Sequence, residues 1–203
     1  MGFISPLIYL CTMKVVAFLG SPRPNGNSEQ MVRRVFGVLE SNGIKTEMIR
    51  VGGKPLHGCL ACMKCFETRN GQCANQTDDL NDYVEKMREA DGIILASPTY
   101  FADVTAEMKA LIDRTGMLTR SGGDFLRYKV GAAVISARRA GSTHAFDTIN
   151  HLFLASQMIV PGSSYWNMGL GRLEGEVSED EEGMDCMETL GMNMAWLLHR
   201  ITG

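Results

Sequence analysis

Residues 14–28 read KVVAFLGSPRPNGNS. Lys14 to Leu19 form a short apolar run that stops at Gly20, the pattern of a buried strand. Residues 21–27, SPRPNGN, are turn chemistry, with two prolines, two asparagines and a glycine. Ser28 is placed to cap a helix running to about Asn42, with Gly43 as its stop. Strand, tight turn and helix in succession open a parallel α/β sheet. The same turn is chemically suggestive. Gly20 and Gly26 let the backbone bend so that free N–H groups gather at the start of a helix, whose positive dipole end attracts an anion. Ser21 and Ser28 add hydroxyls, Asn27 an amide, and Arg23 a fork of donors suited to phosphate. Five residues separate the two glycines and Asn27 follows the second, so this is not a Walker A loop, which has four and then Lys. A single terminal phosphate suits it better than a triphosphate with magnesium. The alternative is an ordinary strand-to-helix turn.

Strands and helices alternate to the end of the chain. Residues 45–51 (KTEMIRV), 92–96 (GIILA), 130–136 (VGAAVIS) and 158–161 read as strands. Helices are expected from Thr77 through Glu89, from Thr105 through about Arg114, after residue 143 through about Gln157, and over 179–201. Residues 51–76 form a long irregular stretch, and 164–175 a Gly-rich one. Loops that long in a compact domain usually carry function. The pattern predicts a parallel five-stranded sheet with helices on both faces and right-handed crossovers. Ligands in such sheets sit outside the carboxyl ends of the strands, where strand order reverses. The loops at 20–28, 97–103 and 136–143 follow strands and should share one site. Residues 97–103, SPTYFAD, hold Pro98, Thr99, Tyr100 and Phe101, which offer backbone donors and aromatic faces to a planar ring or else fill the core. Residues 136–143, SARRAGST, bring Ser136, Arg138, Arg139 and Gly141.

The chain has 203 residues, 45% of them hydrophobic, with a formal net charge of -3. This suits one globular domain, and the absence of a basic stripe argues against nucleic acid as a partner. Residues 1–12 are apolar and uncharged but too few to span a bilayer, and they lack the basic start and cleavage site of a secretory signal. They read as a disordered or loosely docked extension, with Met13 a possible alternative start, and the protein as cytoplasmic with no membrane partner.

Of six cysteines, Cys59, Cys62, Cys65 and Cys73 fall within fifteen residues, as C-x2-C-x2-C followed by C after seven. With no secretion signal, a metal site is a better reading than a disulfide framework. Soft thiolates at two-residue spacing can converge on the corners of one cubane, so one [4Fe–4S] cluster is the natural fit. Zinc is the main rival, although zinc ribbons split their ligands into two distant pairs. Free or redox-active thiols are the third reading. Cys11 and Cys186 read as structural or incidental, and His57, His144, His151 and His199 show no metal spacing.

SPRPNGNSE, SPTYFADVTAEMKALIDR and GEVSEDEEG together resemble the NADPH-dependent FMN reductase and iron–sulfur flavoprotein family, over the chain from about Met13 to its end. The resemblance implies a flavodoxin-like three-layer sandwich. It places the FMN phosphate at Ser21, Arg23, Asn27 and Ser28 and the isoalloxazine at Pro98, Thr99, Tyr100 and Phe101, with the loop carrying Ser136, Arg138 and Gly141 at the ring's other edge. It implies an electron-transferring oxidoreductase in which FMN and the cluster link a ferredoxin-like donor or NAD(P)H to an acceptor, in a homodimer or homotetramer. Three rivals remain: an NAD(P)H-dependent FMN or quinone reductase without a cluster, a flavodoxin-like carrier without its own substrate, and a zinc-stapled regulatory protein. No side chain is assigned as catalytic.

Overall fold

The computed structural model describes Met13 to Thr202; the expected N-terminal extension and Cys11 lie outside the described residues. Five strands, β1 (Lys14–Leu19), β2 (Lys45–Arg50), β3 (Gly92–Pro98), β4 (Val130–Ala137) and β5 (Met168–Leu170), form one parallel sheet in the order β2-β1-β3-β4-β5. Between them run α1 (Asn27–Ser41), the short α2 (Lys64–Thr68), α3 (Leu80–Glu89), α4 (Ala106–Ser121) and α5 (Ser142–Ala155), and α6 (Glu181–Thr202) closes the chain. This is the flavodoxin-like order, and its reversal lies between β1 and β3. Among the described residues no helix is long and apolar enough to cross a membrane.

Strand periodicity builds two cores. Val15, Ala17 and Leu19 of β1 face α1 and α6, where Met31, Val35, Leu190 and Met194 meet them. Val16 and Phe18 point to the opposite face, into a cluster with Tyr83, Leu111, Ile149 and Phe153 from α3, α4 and α5. The central strands are therefore buried almost throughout and mostly apolar, with Ser97 and Ser136 as polar exceptions near their carboxyl ends, as suits parallel strands covered on both faces.

Three local expectations differ from the structure. The fifth strand is not at 158–161 but at Met168–Leu170. Ile159 makes a single bridge with Val130, and Pro161, which has no N–H to offer a ladder, lies two residues on. The chain leaves the sheet there and returns to pair Met168 with Ile135, at the carboxyl half of β4. Ser28 does not cap α1. Gly26 takes that place, and the Ser28 hydroxyl shares a hydrogen bond with Ser136 Oγ on β4 at 2.7 Å. The stretch 51–76 is not wholly irregular, since it holds α2. By contrast Thr105 caps α4 as expected, accepting from the Met108 N–H at 3.4 Å. α4 then continues past Arg114 to Ser121.

Phe153 is buried with its ring against Gly131, where a Cβ would stand 2.9 Å from the ring. Phe153→Ala is expected to destabilise the domain by about 3–5 kcal/mol, read as a lower urea midpoint with an unchanged slope.

Candidate functional site

The loop between β1 and α1 is shaped by a buried carboxylate. Glu29, in the first turn of α1, is 4% exposed. Its oxygens accept from the Asn25 N–H at 3.0 Å, from Arg33 Nε at 3.1 Å and Nη2 at 2.6 Å, and from Arg50 Nη2. Arg50 Nη1 also donates to the carbonyls of Ser21 and Arg23, both at 2.7 Å. One guanidinium from the end of β2 thus holds the carbonyls on the back of the loop. Burial opposes ionisation of Glu29, but the bonds from Arg33, Arg50 and Asn25 outweigh it, and its pKa lies below the ordinary 4.5. Close packing completes the setting: a Cβ on Gly52 would stand 2.2 Å from the Gly20 carbonyl oxygen. The N–H groups of Asn27 and Ser28, at the start of α1, find no acceptor among the described residues.

A cleft of about 170 Å³ opens over this helix end. Ser21, Arg23, Asn27 and Ser28 line one side, Pro98, Thr99 and Tyr100 the next, and Ser136 and Arg138 the third. The three loops expected to converge do so, at the strand-order reversal. Gly171, Arg172 and Glu174 also line the cleft; they come from a segment read only as an irregular stretch. The side chain of Asn27 is committed to that segment, donating to the Gly171 carbonyl at 2.9 Å and accepting from the Val177 N–H at 3.3 Å. Its backbone N–H, not its amide, remains for an anion. Thr99 Oγ1 is buried without a hydrogen-bond partner among the described residues. An orphaned hydroxyl in a cleft lined by helix-end N–H groups and arginines fits a polar, anionic ligand such as FMN.

The aromatic residues are not core. Tyr100 and Asp103 exchange backbone hydrogen bonds of 2.7 and 3.1 Å across a tight turn whose central residues, Phe101 and Ala102, both have positive φ (48° and 67°). Such backbone costs roughly 1–2 kcal/mol per non-glycine residue. Phe101 stands fully exposed at the tip and Tyr100 is 47% exposed. Phe101 and Gly141 are not among the cleft's lining residues. Gly141, at φ 86°, lies beneath the turn, where a Cβ would come within 2.7 Å of Ala102 Cα.

Cys59, Cys62, Cys65 and Cys73 all line a second concavity of about 650 Å³, together with His57, Arg114 and Met117. It shares no lining residue with the first cleft. Among the described residues no group of three or more Cys, His, Asp or Glu stands close enough together to hold a metal ion. Four thiols around one concavity nonetheless form a donor set that suits iron–sulfur chemistry. Arg114 and Asp78 make a buried ion pair at its floor, 2.5 Å apart, with side chains 1% and 0% exposed. Burial opposes the charge on each. The bond from Arg114 holds the Asp78 carboxyl below its ordinary 3.8, and Arg114 stays charged. Removing one member of such a pair costs about 3–5 kcal/mol. Sequence reading missed Glu29, Arg50, Asp78 and Arg114, because an acidic first-turn residue or a mid-helix arginine looks the same when solvated. Cys186 is buried and outside the site, as expected.

Because its pKa is depressed, Glu29 contributes stability that is complete above about 4.5 and lost as pH falls through its lower folded value. The urea midpoint of the wild type should therefore exceed that of Glu29→Gln near neutrality, with the gap closing as the pH is lowered towards 3.

A family model described as NADPH-dependent FMN reductase matches residues 13–172. An iron–sulfur flavoprotein of Methanocaldococcus jannaschii is 38% identical over 190 residues, covering 90% of this chain and 96% of its own. Among solved structures, RosB with a bound 8-demethyl-8-formylriboflavin-5'-phosphate intermediate superposes with a TM-score of 0.75 at 18% identity, over 94% of this chain and 80% of that one. A flavodoxin from the domain Archaea does so with a TM-score of 0.59 at 17% identity, over 92% and 99%. The likenesses to solved structures bear on the fold, which they show to be flavodoxin-like. The extent of the family match and the identity to the methanogen protein settle the membership: this chain belongs to the NADPH-dependent FMN reductase family.

Proposed function

We propose that this FMN-dependent oxidoreductase is an iron–sulfur flavoprotein, holding FMN in the three-loop cleft and one [4Fe–4S] cluster on Cys59, Cys62, Cys65 and Cys73. It passes electrons between a ferredoxin-like donor or NAD(P)H and an acceptor, in the cytoplasm and as a homodimer or homotetramer. The observation that carries this reading is that all four thiols of the motif line one concavity beside the flavin-type fold. The name of the methanogen relative points the same way.

When bound, FMN supplies a ring that takes up a hydride or single electrons, and the cluster supplies single electrons. The chain provides the positions. The N–H groups of Asn27 and Ser28 and the hydroxyl of Ser21 face the phosphate, Arg23 and Arg138 balance its charge, and Thr99 Oγ1 offers a hydrogen bond. Tyr100 lines the cleft and Phe101 stands exposed at the tip of the strained turn beside it, so both would be free to cover the ring. A cleft built for one terminal phosphate favours FMN over FAD. Thr99→Val should weaken FMN binding about tenfold, the equivalent of about 1.4 kcal/mol, in a fluorescence titration of apoprotein.

The cluster is tested on protein made and purified without oxygen. About four irons and four acid-labile sulfides per chain are expected, with an EPR signal after reduction and loss of iron when any one of the four cysteines becomes Ser. Stoichiometric zinc, or no metal, would instead leave the plain flavin or quinone reductase. A protein that carries electrons but turns over neither NAD(P)H nor quinone would be the flavodoxin-like carrier.

A further inference from the structure

We propose that Arg114 is a positioning residue of the thiolate site, holding Cys73 as the corner whose sulfur is already oriented; this rests on reading Cys59, Cys62, Cys65 and Cys73 as cluster ligands. Cys73 is tied on three sides. Its N–H donates to Asn81 Oδ1 at 2.8 Å, its carbonyl accepts from Asn81 Nδ2 at 3.1 Å, and its sulfur accepts from Arg114 Nη2 at 3.3 Å. Arg114 is itself immobilised. Nη1 donates to the His57 carbonyl at 3.1 Å and to Asp78 Oδ2, and Nη2 donates to the Asn75 carbonyl at 3.1 Å. His57 lies two residues before Cys59, and Asn75 two residues after Cys73. A single guanidinium therefore clasps both ends of the cysteine loop to α4 while it touches one of the four sulfurs.

The other three thiols are held differently. Cys59 and Cys62 are exposed and Cys65 is half-buried. None of the three sulfurs makes a hydrogen bond among the described residues, and the backbone between them passes through positive φ at Ala61 (50°) and Met63 (57°). Cys65, on α2, packs against the same core as Cys73, but of the four sulfurs only that of Cys73 is fixed by a hydrogen bond among the described residues. Assembly is thus asymmetric: Cys59 and Cys62 are the exposed ligands, and Cys73 is the one whose sulfur is already oriented. The geometry requires arginine. Its planar fork carries five N–H donors and serves Asp78, His57, Asn75 and Cys73 at once, whereas a lysine ammonium has three and no fixed plane. A hydrogen bond to a ligating sulfur withdraws charge from it, which favours the reduced cluster.

The test uses full-length, FMN-loaded apoprotein titrated anaerobically with Co2+, whose sulfur-to-metal absorption reports how many thiolates bind. Wild type is expected to show four. Arg114→Lys keeps the buried charge that Asp78 needs but cannot make the fork. It should bind Co2+ about 10–100-fold more weakly and lose one thiolate's share of the absorption, with melting temperature and FMN binding close to wild type. In iron-loaded protein its midpoint potential should move lower. The double variant Asp78→Asn with Arg114→Met removes both buried charges and gives the same reading if the lysine variant does not fold. Four-thiolate binding of wild-type strength in a folded variant overturns the role of Arg114 and leaves the ligand set standing. Fewer than four thiolates in wild type overturns the ligand set and Arg114 with it. If neither variant folds, Arg114 is a structural residue only and the proposal fails.

Discussion

β1 pairs in parallel with β2 on one side and β3 on the other. Chains leaving the carboxyl ends of β1 and β3 must then diverge to opposite faces, and the space between them cannot be filled by a crossover. The three-loop cleft is arranged around that crevice. The loop at 21–26 leaves β1, the Tyr100 turn leaves β3, and the Arg138 loop leaves β4, so three short segments distant in sequence meet without any long loop having to be ordered.

Packing at the crevice is tight where it is backbone against backbone. Gly52 and Gly141 each stand where a side chain would collide with the backbone of a neighbouring loop. Glu29 adds an electrostatic constraint. A carboxylate in the first turn of α1 is favoured by the helix dipole, yet it adds a negative charge close to where a phosphate would bind. Arg33 and Arg50 neutralise it, and Arg50 spends its remaining donors on loop carbonyls. The acid therefore organises the loop while the N–H groups of Asn27 and Ser28 stay free.

The cysteine-lined concavity obeys a different logic. It is built on a long connection after β2 that has little regular structure of its own, and its order comes from outside. Arg114 on α4, Asp78 and Asn81 pin its ends, while Arg88 reaches from α3 to the Gly71 carbonyl at 3.1 Å. A loop pinned at its ends and open in the middle can bind a group larger than a single ion without disturbing the sheet.

Much of this was legible in the residues alone. The apolar run at Lys14–Leu19 ending in glycine, the buried strands at β3 and β4, and the cap at Thr105 follow from local chemistry, and so does the spacing of the four cysteines. These features depend on near neighbours, so the α/β class, the three convergent loops and the spacing of the cysteines can be read from local chemistry. Partners distant in the chain set the rest. The edge strand moved from 158–161 to Met168–Leu170 because pairing with the carboxyl half of β4 outweighed local strand propensity around a proline. The amide of Asn27 turned from the anion site to Gly171 and Val177, partners 144 and 150 residues away. Ser28 exchanged a capping role for a bond to Ser136. Glu29, Arg50, Asp78 and Arg114 carry no local mark of burial, since a charged side chain is buried only when distant residues supply its partners, and those partners exist only once the chain has folded.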